Sequence, residues 1–189
     1  MNKKDIRKDK IRALKTLDKA KKQAAEEKIY ANLFRSHDWQ QASTIALTMA
    51  QDFELNTVPI VEEAWRTNKK VVMPRAKKNR VMDFVLYNKQ TQMVTSSFGL
   101  IEPAPALESV DKEDIDVVIV PGLGFSKDGY RVGFGGGYYD RFLSDFSGRK
   151  VALVLPEQQI DYWNPESFDI PMDALITEEE IISTSAVQK

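Results

Sequence analysis

The twenty residues from Pro121 to Asp140, PGLGFSKDGYRVGFGGGYYD, contain seven of the nine glycines in the chain. They follow the apolar run DVVIVPG and lead into YYDRFLSDF, which is typical of a helix. A glycine loop between a strand and a helix can present backbone N–H groups to phosphate oxygens, because residues without a Cβ allow close approach and positive φ. The position and composition of this stretch therefore predict a phosphate-binding loop.

The side chains around these glycines could also bind a nucleotide. Arg131 lies within the stretch, Tyr138 and Tyr139 follow the glycines, and Asp140 stands at the start of the helix. Arg pairs with phosphate, a Tyr ring stacks on a flat heterocycle, and Asp can hold a metal ion. Neither GxGxxG nor GxxxxGK[ST] occurs, so tight turns at a sheet edge remain the alternative for the glycines taken alone.

Two further segments offer chemistry of the same kind. Lys3 and Arg7 are four residues apart, so on a helix they share one face and could both reach a triphosphate. A solvated basic helix face is the alternative for this pair. Glu54 lies in QDFELNT, at an expected loop between a strand and a helix, where an isolated Glu is usually a surface residue.

The residue types exclude several kinds of chemistry. The chain has no cysteine, which excludes disulfides, thiolate catalysis and cysteine metal sites. The one histidine, His37, lies in the polar stretch RSHDWQQ and is expected to be a solvated loop residue. Any bound metal is then expected to be a hard cation held by oxygens, such as Mg2+.

The formal net charge of −1 conceals an asymmetric distribution of charge. Residues 1–22 contain ten Lys or Arg against three Asp, a net of +7, whereas residues 151–189 contain eight Asp or Glu against one Lys, a net of −7. We expect the basic start either to attract the acidic end or to bind an anion. One alternative function is a non-catalytic module that binds RNA or another polyanion, although the pI near 6.0 counts against it.

The pattern of apolar residues predicts an α/β fold. Residues 4–34 show helical spacing and predict one or two amphipathic helices, and a helix is also expected at VPIVEEAWRTNKK. Short apolar runs at STIALTMA, KKVVMPRA (a strand ending at Pro74), VMDFVLYN, DVVIVPG, KVALVLPE and DALIT predict strands. Their alternation with helices predicts a single domain over residues 1–189, with a mostly parallel sheet covered by helices on both faces, in a Rossmann-like three-layer arrangement.

Composition and length predict a soluble protein. Apolar residues make up 42% of the chain and charged residues 29%, which is ordinary for a globular protein. No segment approaches the ~20 apolar residues of a membrane span. We expect a cytoplasmic monomer with a small-molecule substrate and without nucleic-acid or membrane partners.

The stretch PGLGF followed by GYRVGFGGGYYDRFL resembles the signature of the 5-formyltetrahydrofolate cyclo-ligases, also called 5,10-methenyltetrahydrofolate synthetases. Weaker matches extend the resemblance over the whole chain: the spacing of Lys3 and Arg7, Glu54 to Thr57, Pro74 with Arg75, and Asp169 with Asp173. The chain departs from the family at Phe168, where members often carry His, and by two extra residues before Glu54.

The resemblance implies an enzyme that uses ATP and Mg2+ to convert 5-formyltetrahydrofolate to 5,10-methenyltetrahydrofolate with release of ADP and phosphate. An ATP-dependent kinase of another small molecule remains the alternative enzyme. The resemblance implies catalytic roles for Arg131 and Tyr139 and metal ligands at Asp140 and Asp173. The implied ATP contacts are Lys3, Lys4, Asp5, Ile6, Arg7, Arg131, Val132, Gly133, Phe134, Gly135, Gly136, Gly137, Tyr138 and Tyr139, and the implied folate contacts are Leu47, Glu54, Phe134, Gly135, Gly136, Gly137 and Tyr138.

Overall fold

The computed structural model describes residues 1–161 and 163–184. The helices in this part of the chain are α1 (Lys3–Thr16), α2 (Lys19–Arg35), α3 (His37–Gln41), α4 (Val58–Arg66) and α5 (Tyr138–Leu143). The strands are β1 (Thr44–Ala46), β2 (Lys70–Ala76), β3 (Met82–Tyr87), β4 (Met93–Thr95), β5 (Ile101–Pro103), β6 (Val117–Ile119), β7 (Gly124–Phe125), β8 (Arg131–Val132), β9 (Arg149–Leu153), β10 (Ala174–Ile176) and β11 (Ile181–Ser183).

Seven of these described strands form one sheet in the order β11-β10-β9-β6-β1-β2-β3. The inner strands, from β10 to β2, are parallel to one another, and β3 and β11 join the two edges in antiparallel orientation. This arrangement confirms the predicted mostly parallel α/β sheet. The strands of its centre are short and apolar because helices cover both faces.

Side chains of the central strands alternate between two apolar clusters. In β1 and just after it, Ile45 and Leu47 belong to one cluster and Ala46 belongs to the other. Helices α2 and α4 cover the first face, with Ile29 and Ile60 fully buried there, and α5 contributes to the cluster on the second face. The period-two alternation of a strand therefore produces the predicted three layers.

The N-terminal residues form two helices, as the helical spacing allowed. Helix α1 ends at Thr16. Asp18 is the N-cap residue of α2, and its side chain accepts a hydrogen bond from the Lys21 N–H at 3.1 Å. Aspartate is a preferred residue at this position because its carboxylate satisfies an N–H group that has no partner within the helix.

The strand predicted to end at Pro74 continues to Ala76. Pairing of β2 with β1 ends at Val72, whereas pairing with β3 continues from Val71 to Ala76. The missing N–H group of Pro74 therefore falls where β2 has lost its neighbour on the β1 side, which is a position that a sheet tolerates.

The glycine stretch is not one continuous loop. Its first part forms a hairpin in which Gly124 pairs with Val132 and Phe125 pairs with Arg131. The turn of this hairpin contains Gly129, whose φ of +96° lies in a region that favours glycine. Residues 133–137 form the loop that precedes α5, so five residues, not the whole stretch, connect the hairpin to the helix.

Within residues 1–161 and 163–184, no helix is both long and apolar enough to cross a membrane. His37 is exposed, as expected of a solvated residue, but it is the first residue of α3 and not part of a loop.

Candidate active site

A cleft of about 690 Å³ lies at the carboxyl ends of the central strands. Its wall includes Thr48 and Met49, which follow β1, and Pro121, which follows β6. The chain continues from β1 to β2 on one side of the sheet and from β6 to β9 on the other, so β1 and β6 flank a topological switch point. Ligands of open α/β sheets bind at such a point, and the cleft is therefore the candidate active site.

The loop of residues 133–137 forms one wall of the cleft. Gly135 and Gly137 have φ values of +106° and +75°, which other residues adopt only with strain. A Cβ on Gly133 would collide with the guanidinium of Arg131. The glycines therefore allow both the left-handed turns of the loop and its close approach to a buried cation.

Arg131 lies beneath this loop and is only 7% exposed. Its Nη1 donates to the Pro121 carbonyl at 3.2 Å, and its Nη2 is 3.5 Å from an Asp140 carboxylate oxygen. Burial lowers the pKa of Arg131, and the Asp140 carboxylate opposes this effect. Because an Arg side chain stays protonated in proteins, the cleft holds a permanent positive charge, and the buried Nε has no hydrogen-bond partner among the described residues.

Tyr139 lies beside Arg131, whose guanidinium carbon is 5.5 Å from the centre of the tyrosine ring. Its buried hydroxyl has no hydrogen-bond partner in the described part of the chain. Burial raises the pKa of Tyr139, although the Arg131 charge acts in the opposite direction. The hydroxyl is therefore a neutral donor at neutral pH rather than a base.

Lys3 and Arg7 both reach the cleft from α1. Arg7 Nε donates to the Gly133 carbonyl at 2.7 Å, and Lys3 Nζ donates to Glu166 at 2.7 Å and to Asp169 at 2.9 Å. Although burial opposes the charge of Lys3, the two hydrogen bonds raise its pKa. The basic start of the chain and its acidic end thus meet at the cleft, as their charges predicted.

Helix α1 is attached next to the cleft through Ile6. This side chain is buried in a small cluster with Val132 and Trp163, so neither Ile6 nor Val132 lines the cleft. Lys4 and Asp5 are exposed and also lie outside the cleft wall. The structure therefore brings Lys3 and Arg7, but not the residues between them, to the predicted ATP site.

Glu54 faces the same cleft from the loop between β1 and α4, and the Gln51 N–H donates to its carboxylate at 2.6 Å. Side chains on one face of α2 form hydrogen bonds with the backbone of this loop. Lys22 Nζ donates to the Glu54 carbonyl at 2.5 Å, the buried Glu26 accepts from the Asn56 N–H at 2.5 Å, and the Tyr30 hydroxyl donates to the Asn56 carbonyl. Because these α2 residues are spaced by four, they share one face and hold the Glu54 loop in place.

Leu47 does not line the cleft, contrary to its expected place in the folate site. It is fully buried in the core, and its N–H donates to the Val72 carbonyl at 3.1 Å. Thr48 and Met49, the next two residues, are exposed to the cleft instead. Strand alternation directs Leu47 inward, and the chain opens towards a ligand only after the strand has ended.

The two expected metal ligands are not brought together. Asp140 lines the cleft, but Asp173 precedes β10 and lies at the amino ends of the parallel strands. There its carboxylate accepts from the Lys150 N–H at 2.9 Å and lies 3.3 Å from the Lys150 ammonium. Asp173 is therefore not part of the cleft, because it lies at the amino end of β10 and the cleft lies at the carboxyl ends of the parallel strands.

Asp169 is the acidic residue of this segment that does line the cleft, and it is buried. One of its oxygens accepts from Lys3, and the other accepts from the Glu166 N–H at 2.6 Å. The next residue, Ile170, donates its N–H to Asp140 at 3.3 Å, which links the two acidic positions. In the described residues no cluster of three or more acidic or His side chains could hold a metal, so a bound cation would need ligand oxygens as well.

The other residues predicted to contact ATP or folate are part of the cleft wall. Phe134, Gly135, Gly136, Gly137 and Tyr138 all line the cleft, and the Phe134 ring is 6.5 Å from that of Phe53, next to Glu54. The sequence interpretation missed another part of the cleft wall, formed by Arg80, Met82, Phe98, Leu100, Ile101 and Glu102. In the sequence, this part of the wall is indicated only by the basic run KKNR, which ends at Arg80, and by apolar residues further along the chain.

The fold and the cleft are those of an α/β enzyme whose site lies at the carboxyl edge of a parallel sheet. A family model for the 5-formyltetrahydrofolate cyclo-ligase family matches residues 1–178. The chain therefore belongs to this family and is a ligase.

Similar proteins agree with this assignment. The chain is 30% identical over 169 residues to the 5-formyltetrahydrofolate cyclo-ligase of Haemophilus influenzae, which covers 86% of this chain and 89% of the relative. It is 31% identical over 146 residues to the Escherichia coli protein of the same name, covering 74% and 80%. The 5,10-methenyltetrahydrofolate synthetase structure from Aquifex aeolicus superposes with a TM-score of 0.85 at 28% identity, covering 98% of this chain and 94% of that chain.

Glu54 should make stability depend on pH. Burial raises the pKa of Glu54, although the Gln51 hydrogen bond and the Lys22 charge oppose the rise. A carboxyl group with a raised folded-state pKa favours folding below its unfolded pKa of ~4.3, and this contribution is lost as the pH rises through the folded value. Glu54→Gln, which imitates the protonated form, should therefore be more stable than the wild type at neutral pH.

Denaturant unfolding of both proteins at neutral pH and near pH ~4 would measure this difference, which should shrink as the pH falls. Glu62→Gln, at an exposed position on α4, is the control and should change stability equally at both values. A Glu54→Gln effect that is the same at both pH values would contradict the role given to burial.

Proposed function

We propose that this chain converts 5-formyltetrahydrofolate to 5,10-methenyltetrahydrofolate, using ATP and Mg2+ and releasing ADP and phosphate. The proposal rests on one observation: the buried Arg131 and Arg7 both contact the glycine loop inside the cleft. Family membership supports the folate substrate, because the relatives are named for that reaction.

The chemistry explains the need for a phosphoryl donor. The formyl carbon on N5 is an amide carbon and a poor electrophile, and ring closure must expel its oxygen. Transfer of the γ-phosphoryl group to that oxygen breaks the bond to ADP and forms an iminium phosphate. N10 then bonds to the carbon, the carbon–oxygen bond breaks, phosphate leaves, and the N10 proton is released. The oxygen thus departs as part of phosphate.

The residues of the cleft suit this reaction. Phosphoryl transfer is catalysed mainly by alignment and by neutralisation of charge on the phosphoryl oxygens. The spare Nε donor of Arg131 and the Tyr139 hydroxyl are buried polar groups that a ligand can satisfy. Arg7 and the exposed loop backbone lie next to them, so donors surround one region of the cleft.

Glu54 and Phe134, whose ring lies 6.5 Å from that of Phe53, mark the part of the cleft that suits the pterin. A carboxylate accepts hydrogen bonds from the N–H groups of a pterin, and aromatic rings pack against its flat face. Leu47 lies behind this side, in the core, so Met49 and Thr48 supply the contacts that were expected of it.

Asp140 and Asp169 fit Mg2+ better than the expected pair of Asp140 and Asp173. Mg2+ is commonly held by one or two carboxylates together with phosphate oxygens and water, and both carboxylates face the cleft. When bound, the ion would neutralise charge on the triphosphate. The protein's own part is to orient the two carboxylates, through Arg131 and Ile170 for Asp140 and through Lys3 and Glu166 for Asp169.

Internal contacts of the basic N-terminal segment count against a polyanion-binding module. Lys3 binds two carboxylates, Arg7 binds Gly133, Lys10 donates to two carbonyls near residue 158, and Lys22 donates to Glu54. These cations hold the fold and the cleft together, so they are not free to follow a nucleic-acid backbone.

The reaction itself is the main test. Full-length protein mixed with MgATP and 5-formyltetrahydrofolate should develop the absorbance of the methenyl product. With substrate labelled with 18O in the formyl group, mass spectrometry should find the label in inorganic phosphate. Label in water with full product formation would contradict phosphorylation of the formyl oxygen, and folded protein without any absorbance change would contradict the reaction.

The carboxylates can be tested against one another by magnesium titration of the same reaction. Asp140→Asn and Asp169→Asn should each raise the Mg2+ concentration needed for half-maximal rate by about tenfold or more, because each removes a charged oxygen from the cleft. Asp173→Asn is the matched control and should leave this requirement unchanged, since Asp173 lies beside Lys150. An increased requirement in Asp173→Asn alone would reverse the assignment.

A further inference from the structure

The loop that carries Glu54, residues 47–57 between β1 and α4, lies outside the main sheet. Its first residue, Leu47, still pairs with β2, because its N–H donates to the Val72 carbonyl at 3.1 Å. Among the described residues, no hydrogen bond joins residues 48–56 to a strand. The position of Glu54 at the cleft therefore depends on contacts that the sheet does not supply.

The two neighbours of Glu54 are anchored in the core. Leu55 is buried in the apolar cluster beneath α2 and α4, and Phe53 packs against the same cluster. At the end of the loop, the buried Thr57 hydroxyl donates to the Thr48 carbonyl at 2.7 Å and so closes the loop on itself. These contacts leave the Glu54 side chain to face the cleft.

Helix α2 holds the backbone of the loop mainly through Asn56. The buried Glu26 carboxylate accepts from the Asn56 N–H at 2.5 Å, and the Tyr30 hydroxyl donates to the Asn56 carbonyl. Both backbone polar groups of Asn56 thus bind to α2, two residues after Glu54. Lys22 Nζ adds a hydrogen bond to the Glu54 carbonyl itself, at 2.5 Å.

A carboxylate is an unfavourable choice for packing at the place that Glu26 occupies. Glu26 is 7% exposed, and its helix neighbours Ala25, Ile29 and Leu33 are buried in the apolar cluster. Burying a charged group costs free energy unless hydrogen bonds compensate, and an apolar side chain of similar size would pack there without that cost. What the carboxylate provides, and an apolar side chain cannot, is the hydrogen bond to Asn56.

Neither Glu26 nor Tyr30 is part of the cleft wall, so any effect on a ligand must pass through the backbone between Asn56 and Glu54. The glycine loop is held by a different helix, because Arg7 of α1 donates to the Gly133 carbonyl at 2.7 Å. In the described part of the chain, no hydrogen bond or ion pair joins α2 to residues 133–137. The supports of the two loops are therefore separate.

We propose that Glu26 and Tyr30 are positioning residues, which hold Glu54 where the folate substrate binds. This assignment rests on the proposed function, in which Glu54 contacts the pterin, and goes beyond it by giving a helix outside the cleft control over the affinity for one substrate. The nucleotide, bound at the glycine loop, does not depend on this support.

Calorimetric titration of the full-length protein with 5-formyltetrahydrofolate in the presence of MgADP, and separately with MgATP alone, measures the two affinities without turnover. Glu26→Met keeps the length of the side chain and removes the acceptor. Because an affinity falls with the fraction of molecules in which the loop is in place, Glu26→Met should raise the Kd of 5-formyltetrahydrofolate about tenfold. The Kd of MgATP should stay within about twofold of the wild-type value.

Conservative variants and a matched control separate position from charge. Glu26→Gln keeps an acceptor of the same length, so its Kd for 5-formyltetrahydrofolate should lie within about threefold of the wild-type value. Tyr30→Phe removes only a neutral donor and should have the same selectivity with a smaller effect, about threefold. Glu27→Met removes a charge from an exposed position on the same helix and should change neither affinity.

Hydrogen–deuterium exchange reports on the loop directly. In Glu26→Met the Asn56 N–H loses its acceptor, so the amides of residues 51–57 should exchange faster than in the wild type, whereas those of residues 133–137 should not change.

Two results would overturn the proposal. In the first, the loop exchanges faster in Glu26→Met while the affinity for 5-formyltetrahydrofolate is unchanged. In the second, the affinities for both ligands fall equally, as expected of a general loss of structure. A wild-type protein that binds MgATP but not 5-formyltetrahydrofolate would contradict the proposed function, and the exchange rates would then still decide whether Glu26 holds the loop.

Discussion

A guanidinium buried beneath the glycine loop is the constraint on which the rest of the cleft depends. Arg131 gives up most of its hydration and forms an ion pair with the Asp140 carboxylate at 3.5 Å. Removing a charge from water costs several kcal/mol unless partners compensate, so the surrounding structure must hold Arg131 in place. It does so through β7–β8 pairing, the Pro121 carbonyl and a glycine at 133, where a Cβ would collide with the guanidinium.

The N-terminal helices complete this arrangement from outside the sheet. Ile6 packs with Val132, the neighbour of Arg131, and so places Arg7 against the loop and Lys3 against the acidic segment at residues 166–169. Helix α2 then fastens the Glu54 loop through Lys22, Glu26 and Tyr30. Arg131, helix α1 and the Glu54 loop thus form three parts of the cleft wall.

Local patterns predicted most of the fold, because the central strands are apolar on both faces and the longer helices α1, α2 and α4 carry apolar residues at helical spacing. They also predicted the glycine loop, Lys3, Arg7, Glu54 and Asp140 as residues near one site. The local patterns failed for residues whose position depends on where a strand begins or ends. Leu47 is still within the alternation of β1 and points into the core, and Asp173 sits before β10 at the wrong edge of the sheet, whereas Asp169 reaches the cleft.

The apolar part of the cleft wall formed by Met82, Phe98, Leu100 and Ile101 could not be predicted for a related reason. Its residues come from β3 and from a separate hairpin, β4–β5, whose short strands carry no strong alternation, and only the tertiary fold brings Arg80 beside Gly137. Tyr138 and Tyr139, by contrast, are adjacent to the glycines in sequence and needed no long-range contact to be found.

The unsatisfied polar groups of the protein are concentrated where a ligand would bind. Among the described side chains, the buried atoms without a hydrogen-bond partner are Arg131 Nε, the Tyr139 hydroxyl and Trp163 Nε1. The first two line the cleft, and the Trp163 ring lies 5.1 Å from the ammonium of Lys3, which also lines it. Burying a donor without a partner costs ~1–3 kcal/mol, so these groups lower the stability of the free protein. A ligand in the cleft that accepts hydrogen bonds from Arg131 Nε and the Tyr139 hydroxyl recovers their share of that cost, so a cleft fixed by a buried cation can bind an anion without first having to rearrange.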